Sequence, residues 1–154
     1  MSEEEESAGA SSTAVDAGPL TELIGFHLRL ATLALRRSFF QHVDGGSIRP
    51  GLASLLQLAA NNRGVSQTEL ATGLGIDKAS LVPLISDAES AGWISRRQAA
   101  QDKRRYEVTL TAEGQEMAAK LARQTMEHEE KFRELFSEKE LERFIEYLQR
   151  IYAQ

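Results

Sequence analysis

The chain has 154 residues, 42% hydrophobic and 27% charged, a net charge of −5 and no cysteine. That length and composition suit one soluble globular domain with room for a real core. Without cysteine, disulfides, thiolate metal sites and cysteine redox switching are excluded. No apolar run approaches the roughly 20 residues a bilayer needs, and the start "MSEEEESAGASS" is the opposite of a signal peptide. The expectation is a cytoplasmic protein with no membrane partner.

Residues 1–18 hold five acids, Glu3 to Glu6 and Asp16, and no base. They read as a disordered acidic tail, because they lack the apolar content to pack. Without them, eighteen acids face eighteen bases, so the folded part is neutral. From Pro19, "PLTELIGFHLRLATLALRRSFFQ" predicts a helix apolar nearly all round, one face carrying Leu20, Ile24, His27, Ala31, Leu35 and Ser38. Such a helix must be buried on several sides, in so small a protein against a second copy of the chain. Gly45-Gly46 and Pro50 break it, and "LASLLQLAANN" predicts a short amphipathic helix.

Ser66 and Glu69 have capping-box spacing, which starts another helix. Gly73 and Gly75 end it, and Asp77 can cap the next. Two short helices joined by a glycine-containing turn form a helix-turn-helix, with Ala71 at the crossing and Leu81 in the core. "WISRR" and "YEVTL" read as strands, with Tyr106, Val108 and Leu110 on the buried face. Between them lies a loop containing "DKRR"; from Arg96 to Arg105 there are five bases against one acid. Thr111 caps a helix through "AEGQEMAAKLARQTMEHEEKFRELF" with Met117, Leu121, Phe132 and Leu135 as anchors. His128 among Glu127, Glu129 and Glu130 reads as a solvated face. Ser137 and Glu140 form a second capping box, opening a helix striped by Leu141, Phe144, Ile145, Leu148 and Ile151.

A helix-turn-helix followed by a β-hairpin is a winged helix, and the basic loop is the tip of its wing. That explains why a neutral domain gathers cations at one point. A wing over DNA displaces counterions from phosphates and can place an arginine in a narrow minor groove.

The stretches "SQTELATGLGIDKASLV", "ESAGWISRR" and "QDKRRYEVTLTAEG" resemble the MarR family of transcriptional regulators, over about Leu20 to Ile151. The resemblance implies a mainly α fold with a small β-hairpin wing. Its winged helix-turn-helix would span about residues 50–111, with dimerisation helices over 19–42 and 112–154. It further implies a homodimer on a pseudo-palindromic double-stranded operator. By position, Asp102 would hold the wing, Arg104 would enter the minor groove, and Lys103 and Arg105 would assist at phosphates. Lys78, Ala79, Ser80 and Val82 lie on the exposed half of the recognition helix, while Ser66 and Gln67 sit at a helix N-terminus suited to a phosphate. Val82-Pro83 depart from the polar or basic pair common in the family. Base readout then leans on thymine methyls and the wing.

Members of that family commonly respond to small aromatic acids or related thioesters. The matching region contains His27, Arg36, Arg37, Phe39, Phe40 and His42. An aromatic carboxylate or aromatic acyl-CoA is therefore the expected effector, with His27 alternatively a core histidine bonded to a backbone carbonyl. No cofactor or metal is expected, since three histidines without ligand-pair spacing make a poor site. No phosphate loop, nucleophile elbow or paired carboxylates point to an enzyme. The alternative is a winged helix used only for protein–protein contact, which has no need of three consecutive cations.

Overall fold

The computed structural model describes residues 15–98 and 106–153. They divide into two units, one ending at Ala34 and one running from Leu35.

The first unit opens with a 3-10 turn over Gly18–Glu22. Asp16 accepts from the Gly18 amide at 2.9 Å and the Thr21 hydroxyl donates to the Gly18 carbonyl at 3.0 Å. Such short side-chain bonds compete with helix formation. Leu23 is extended (φ −90°, ψ 121°). Helix α1 (Ile24–His42) therefore starts five residues after Pro19, later than the sequence suggests. Its residues up to Ala34 are exposed or half-buried, Ile24, Leu30 and Leu33 among the exposed.

The second unit takes up α1 at Leu35 and adds α2 (Pro50–Asn61), with Pro50 in the first turn, where a missing amide costs nothing. Next come β1 (Val65–Ser66), α3 (Gln67–Leu74), α4 (Lys78–Ser90), β2 (Ile94–Gln98), β3 (Tyr106–Leu110), α5 (Ala112–Arg133) and α6 (Glu138–Tyr152). The strands form one antiparallel sheet in the order β1-β3-β2. Its register sets Val65 opposite Val108, and Ile94 opposite Leu110. The two-residue β1 went unrecognised in the sequence because Ser66 reads there only as a helix cap.

The core is built where α2 meets α3, α4, β3 and α5, with Leu55, Leu56, Leu70, Leu81, Val108 and Leu121 almost fully buried. Each such leucine contributes roughly 1.5–3 kcal/mol. Local signals act as expected. Ser66 and Glu69 close a capping box, Gly75 takes the left-handed conformation (φ 65°), and Asp77 accepts from the Ser80 amide at 2.7 Å. Pro83 sits within a helix that runs on to Ser90.

The junction after the hairpin is tight. Thr111 caps α5 by accepting from the Gly114 amide at 3.0 Å, and its hydroxyl donates to the Gly92 carbonyl at 2.7 Å. A Cβ on Gly114 would overlap the Trp93 carbonyl, so this position requires glycine. Ion pairs join Arg49 to Asp87 and Lys120 to Asp44.

Three expectations need correction. Tyr106 is exposed, since it opens β3 at the end remote from the core. Helix α5 stops at Arg133, leaving Leu135 73% exposed and no anchor. His128 is only 4% exposed: α5 turns it inward onto Phe39 and Phe132, at 5.7 and 5.4 Å between ring centres, and not toward water with its glutamate neighbours.

Candidate nucleic-acid interface and effector cavity

Two helix starts and one strand end converge on a groove of about 320 Å³. Ser66, Gln67 and Thr68 come from the start of α3, Lys78, Leu81 and Val82 from α4, and Tyr106 from β3. The capping geometry explains the convergence. Asp77 ends the turn and starts α4 so that Lys78, Ala79 and Ser80 all stand exposed on its first turn, with Val82 62% exposed one turn on. The Ser80 amide holds the Asp77 carboxyl below the usual carboxylate range. The exposed surface thus offers a cation, a hydroxyl, a small methyl and a branched apolar group, a set able to meet phosphates and base edges.

Ser66 has another task. It is buried, its hydroxyl donates to Glu69 Oε2 at 2.7 Å, and it accepts from the Glu69 amide at 3.2 Å. It positions α3 and has no hydroxyl proton to spare, which leaves Gln67 and Thr68 as the polar side chains at that N-terminus. Arg96, counted with the basic stretch, is also committed. Its Nε and a terminal nitrogen reach Glu89 at 3.0 and 2.5 Å, tying β2 to the last turn of α4 and raising the arginine pKa. Asp102, Lys103, Arg104 and Arg105 lie outside the described residues.

A second concavity, of about 220 Å³, opens between α1, α2 and α5. Arg36 and Phe39 line it, with Leu35, Ala53, Gln57, Thr125, His128 and Glu129 among its other walls. Of the remaining candidates on α1, Arg37, Phe40 and His42 do not line it. Phe40 packs edge-on against Phe39 at 6.3 Å, and His42 donates through Nδ1 to the Ser38 carbonyl at 2.7 Å. His27 belongs to the first unit. There it is exposed rather than core, because no described residue of that unit buries it, and Nε2 donates to the Thr21 carbonyl at 2.7 Å.

Among the lining residues that sequence reasoning missed, His128 and Thr125 carry buried polar atoms. His128 carries neither of its ring nitrogens in a hydrogen bond of ordinary geometry, and the Thr125 hydroxyl is likewise buried without a partner. Burial, the largest influence, pushes the His128 pKa down; Lys131 and His42 push the same way, while Glu129 and the Leu35 carbonyl oppose. The ring is thus held neutral. Among the described residues, no helix is long and apolar enough to cross a membrane.

A sequence model of the MarR family matches residues 49–106, the stretch from α2 to the start of β3. A protein of Thauera aromatica, named as a candidate regulator of transcription for the hcr operon, is 33% identical over 138 residues, covering 89% of this chain and 83% of its own. The chain belongs to the MarR family. Among solved MarR-like structures, the transcriptional repressor CouR bound to a 23-mer DNA duplex matches with a TM-score of 0.83 and 28% identity, over 91% of this chain and 99% of that one. CouR bound to p-coumaroyl-CoA matches with a TM-score of 0.82 and 27% identity, over 92% and 99%. In this MarR-family chain, the glycine that closes "LTAEG" has a plain structural cause, the close approach of α5 to Trp93.

Proposed function

We propose that the protein is a ligand-responsive, DNA-binding transcriptional repressor of the cytoplasm. It acts as a homodimer on a pseudo-palindromic operator and is released by a small aromatic acid or its CoA thioester. The observation that carries this reading is the groove framed by Gln67, Thr68, Lys78, Val82 and Tyr106, open at the root of a hairpin whose intervening sequence is "AAQDKRR". Its likeness to a repressor solved on DNA, over nearly the whole of both chains, supports the same conclusion.

Lys78, Ala79, Ser80 and Val82 face the major groove in this reading, with Gln67 at a phosphate and Ser66 bracing it from behind. Asp102 orders the wing, Arg104 enters the minor groove, and Lys103 and Arg105 meet phosphates. Residues 19–42 and 112–154 supply the dimer contacts, and residues 1–18 form a separate acidic tail. Two half-sites lie roughly 10 base pairs apart, one helical turn. In this reading the effector cavity is the one lined by Arg36 and Phe39, and the chain's likeness to a repressor solved with p-coumaroyl-CoA supports an aromatic acyl ligand.

The test is binding to the DNA upstream of the protein's own gene, followed across a salt series for wild type, Lys103→Ala and Arg104→Ala. Arg104→Ala is expected to weaken binding by about 1–3 kcal/mol and to flatten the salt slope by about one unit per half-site. Lys103→Ala flattens the slope without changing the preference among operator variants. No binding at low salt would favour the protein–protein module instead.

A further inference from the structure

We propose that His128 and Thr125 read a ring hydroxyl on the effector, so that these two side chains, rather than the cations at the end of α1, decide which aromatic ligand the cavity accepts. This rests on the effector reading above and adds the residues that set its specificity.

The observation behind it is a pair of buried polar side chains with no adequate partner. His128 and Thr125 stand three apart on α5, one helical turn, and both line the 220 Å³ cavity. His128 Nδ1 lies 3.8 Å from Glu129 Oε1, beyond hydrogen-bond reach. The Leu35 carbonyl can engage at most one of the two ring nitrogens, so another stays free, as does the Thr125 hydroxyl. Buried polar groups in native proteins are nearly always satisfied. Two orphans on one wall of one cavity point to a ligand group that completes them.

Their chemistry selects that group. With its N–H turned to the Leu35 carbonyl, the neutral imidazole leaves one acceptor nitrogen, while the threonine hydroxyl both donates and accepts. A hydroxyl also donates and accepts, and so completes the set. A carboxylate only accepts, and would sit in a cavity that Glu129 also lines, with no buried cation to balance it. Arg36 is exposed and lines the same cavity, so the anionic or thioester end belongs at the open side beside it. At about 220 Å³ the space falls below the roughly 300–1,000 Å³ of sites for drug-sized ligands. It takes one ring, flanked by Phe39 and Ala53, and leaves any larger carrier outside.

The experiment is calorimetric titration of the full chain with p-coumaroyl-CoA and with cinnamoyl-CoA, which differ by one ring hydroxyl. It is repeated with p-coumarate and cinnamate for the free-acid case. Wild type is expected to prefer the hydroxylated member of the pair that binds by about 10–100-fold, the range for satisfying a buried polar group. His128→Phe, which keeps an aromatic ring in the cluster, and Thr125→Val, which keeps the shape, each bring that ratio toward one. They do so by weakening the hydroxylated ligand while its unsubstituted partner binds as before, which also reports intact folding. If His128→Phe does not fold, Thr125→Val alone decides. Equal affinities in wild type, or a preference that survives both substitutions, overturn the inference and leave the effector reading standing. If wild type binds none of the four ligands, the effector reading falls and takes this inference with it.

Discussion

Helices α2 and α6 are both amphipathic and similar in length, yet the single chain treats them in opposite ways. Helix α2 buries Leu52, Ala53, Leu55, Leu56 and Ala59, enclosed by α3, α4, β3 and α5. Helix α6 buries nothing, and its stripe residues Phe144, Ile145 and Ile151 stand 39–44% exposed. Phe136, stacked on Phe144 at 5.3 Å, folds back over that stripe. The difference separates a part that holds itself together from a part whose apolar face needs a partner. In the proposed dimer that partner is a second copy.

Three perturbations probe the contrast. The largest effect belongs to Gly114→Ala, which drives a methyl into the Trp93 backbone where neither side can yield cheaply. Overpacking of this kind typically costs 1–3 kcal/mol, and a backbone obstacle puts it at about 3 kcal/mol or above. Urea unfolding should show a lower midpoint with unchanged slope, and a loss under about 1 kcal/mol would mean that α5 can slide.

Next, Ile145→Asp combined with Ile151→Asp should convert a dimer to a monomer at micromolar concentration, as read by sedimentation velocity. Circular dichroism should retain the winged helix, because neither residue belongs to its core. A dimer that survives both charges would move the interface elsewhere.

The smallest effect is the pH response of His128. Its pKa is lowered by burial, so the folded chain resists a proton that the unfolded chain accepts near pH 6.5. Stability is therefore greatest above about pH 6.5 and declines as pH falls below it, by at most about 1.4 kcal/mol per pH unit. His128→Phe should flatten that decline in melting curves between pH 7.5 and 5.5.

Caps and turns were legible in the sequence because their causes are local: Ser66 with Glu69, Gly75, Asp77, Thr111, and Ser137 with Glu140 each act within a few residues. The MarR-type winged helix followed from their order. His128 was not legible, because three glutamates beside it signal solvent while its burial comes from Phe39, nearly ninety positions away. For the same reason Arg96 looked free until Glu89 came within reach through the fold, and Ser66 looked available to a phosphate although its own cap uses it. Site residues are harder to read than caps because a side chain's availability depends on distant partners.

Helix α5 has a mechanical property that follows from its length. Near one end, Thr111 and Gly114 fasten it to Gly92 and Trp93, just beyond helix α4. Farther along, Thr125 and His128 form a wall of the cavity. At 1.5 Å per residue the two places are about 21 Å apart on one stiff rod. A tilt of about 5° is therefore a shift of about 2 Å from one end to the other. That is more than half the length of a hydrogen bond, produced without bending any element. In the proposed reading, a ligand in that small cavity would press on α5 several times farther from the anchored end than one aromatic ring is wide.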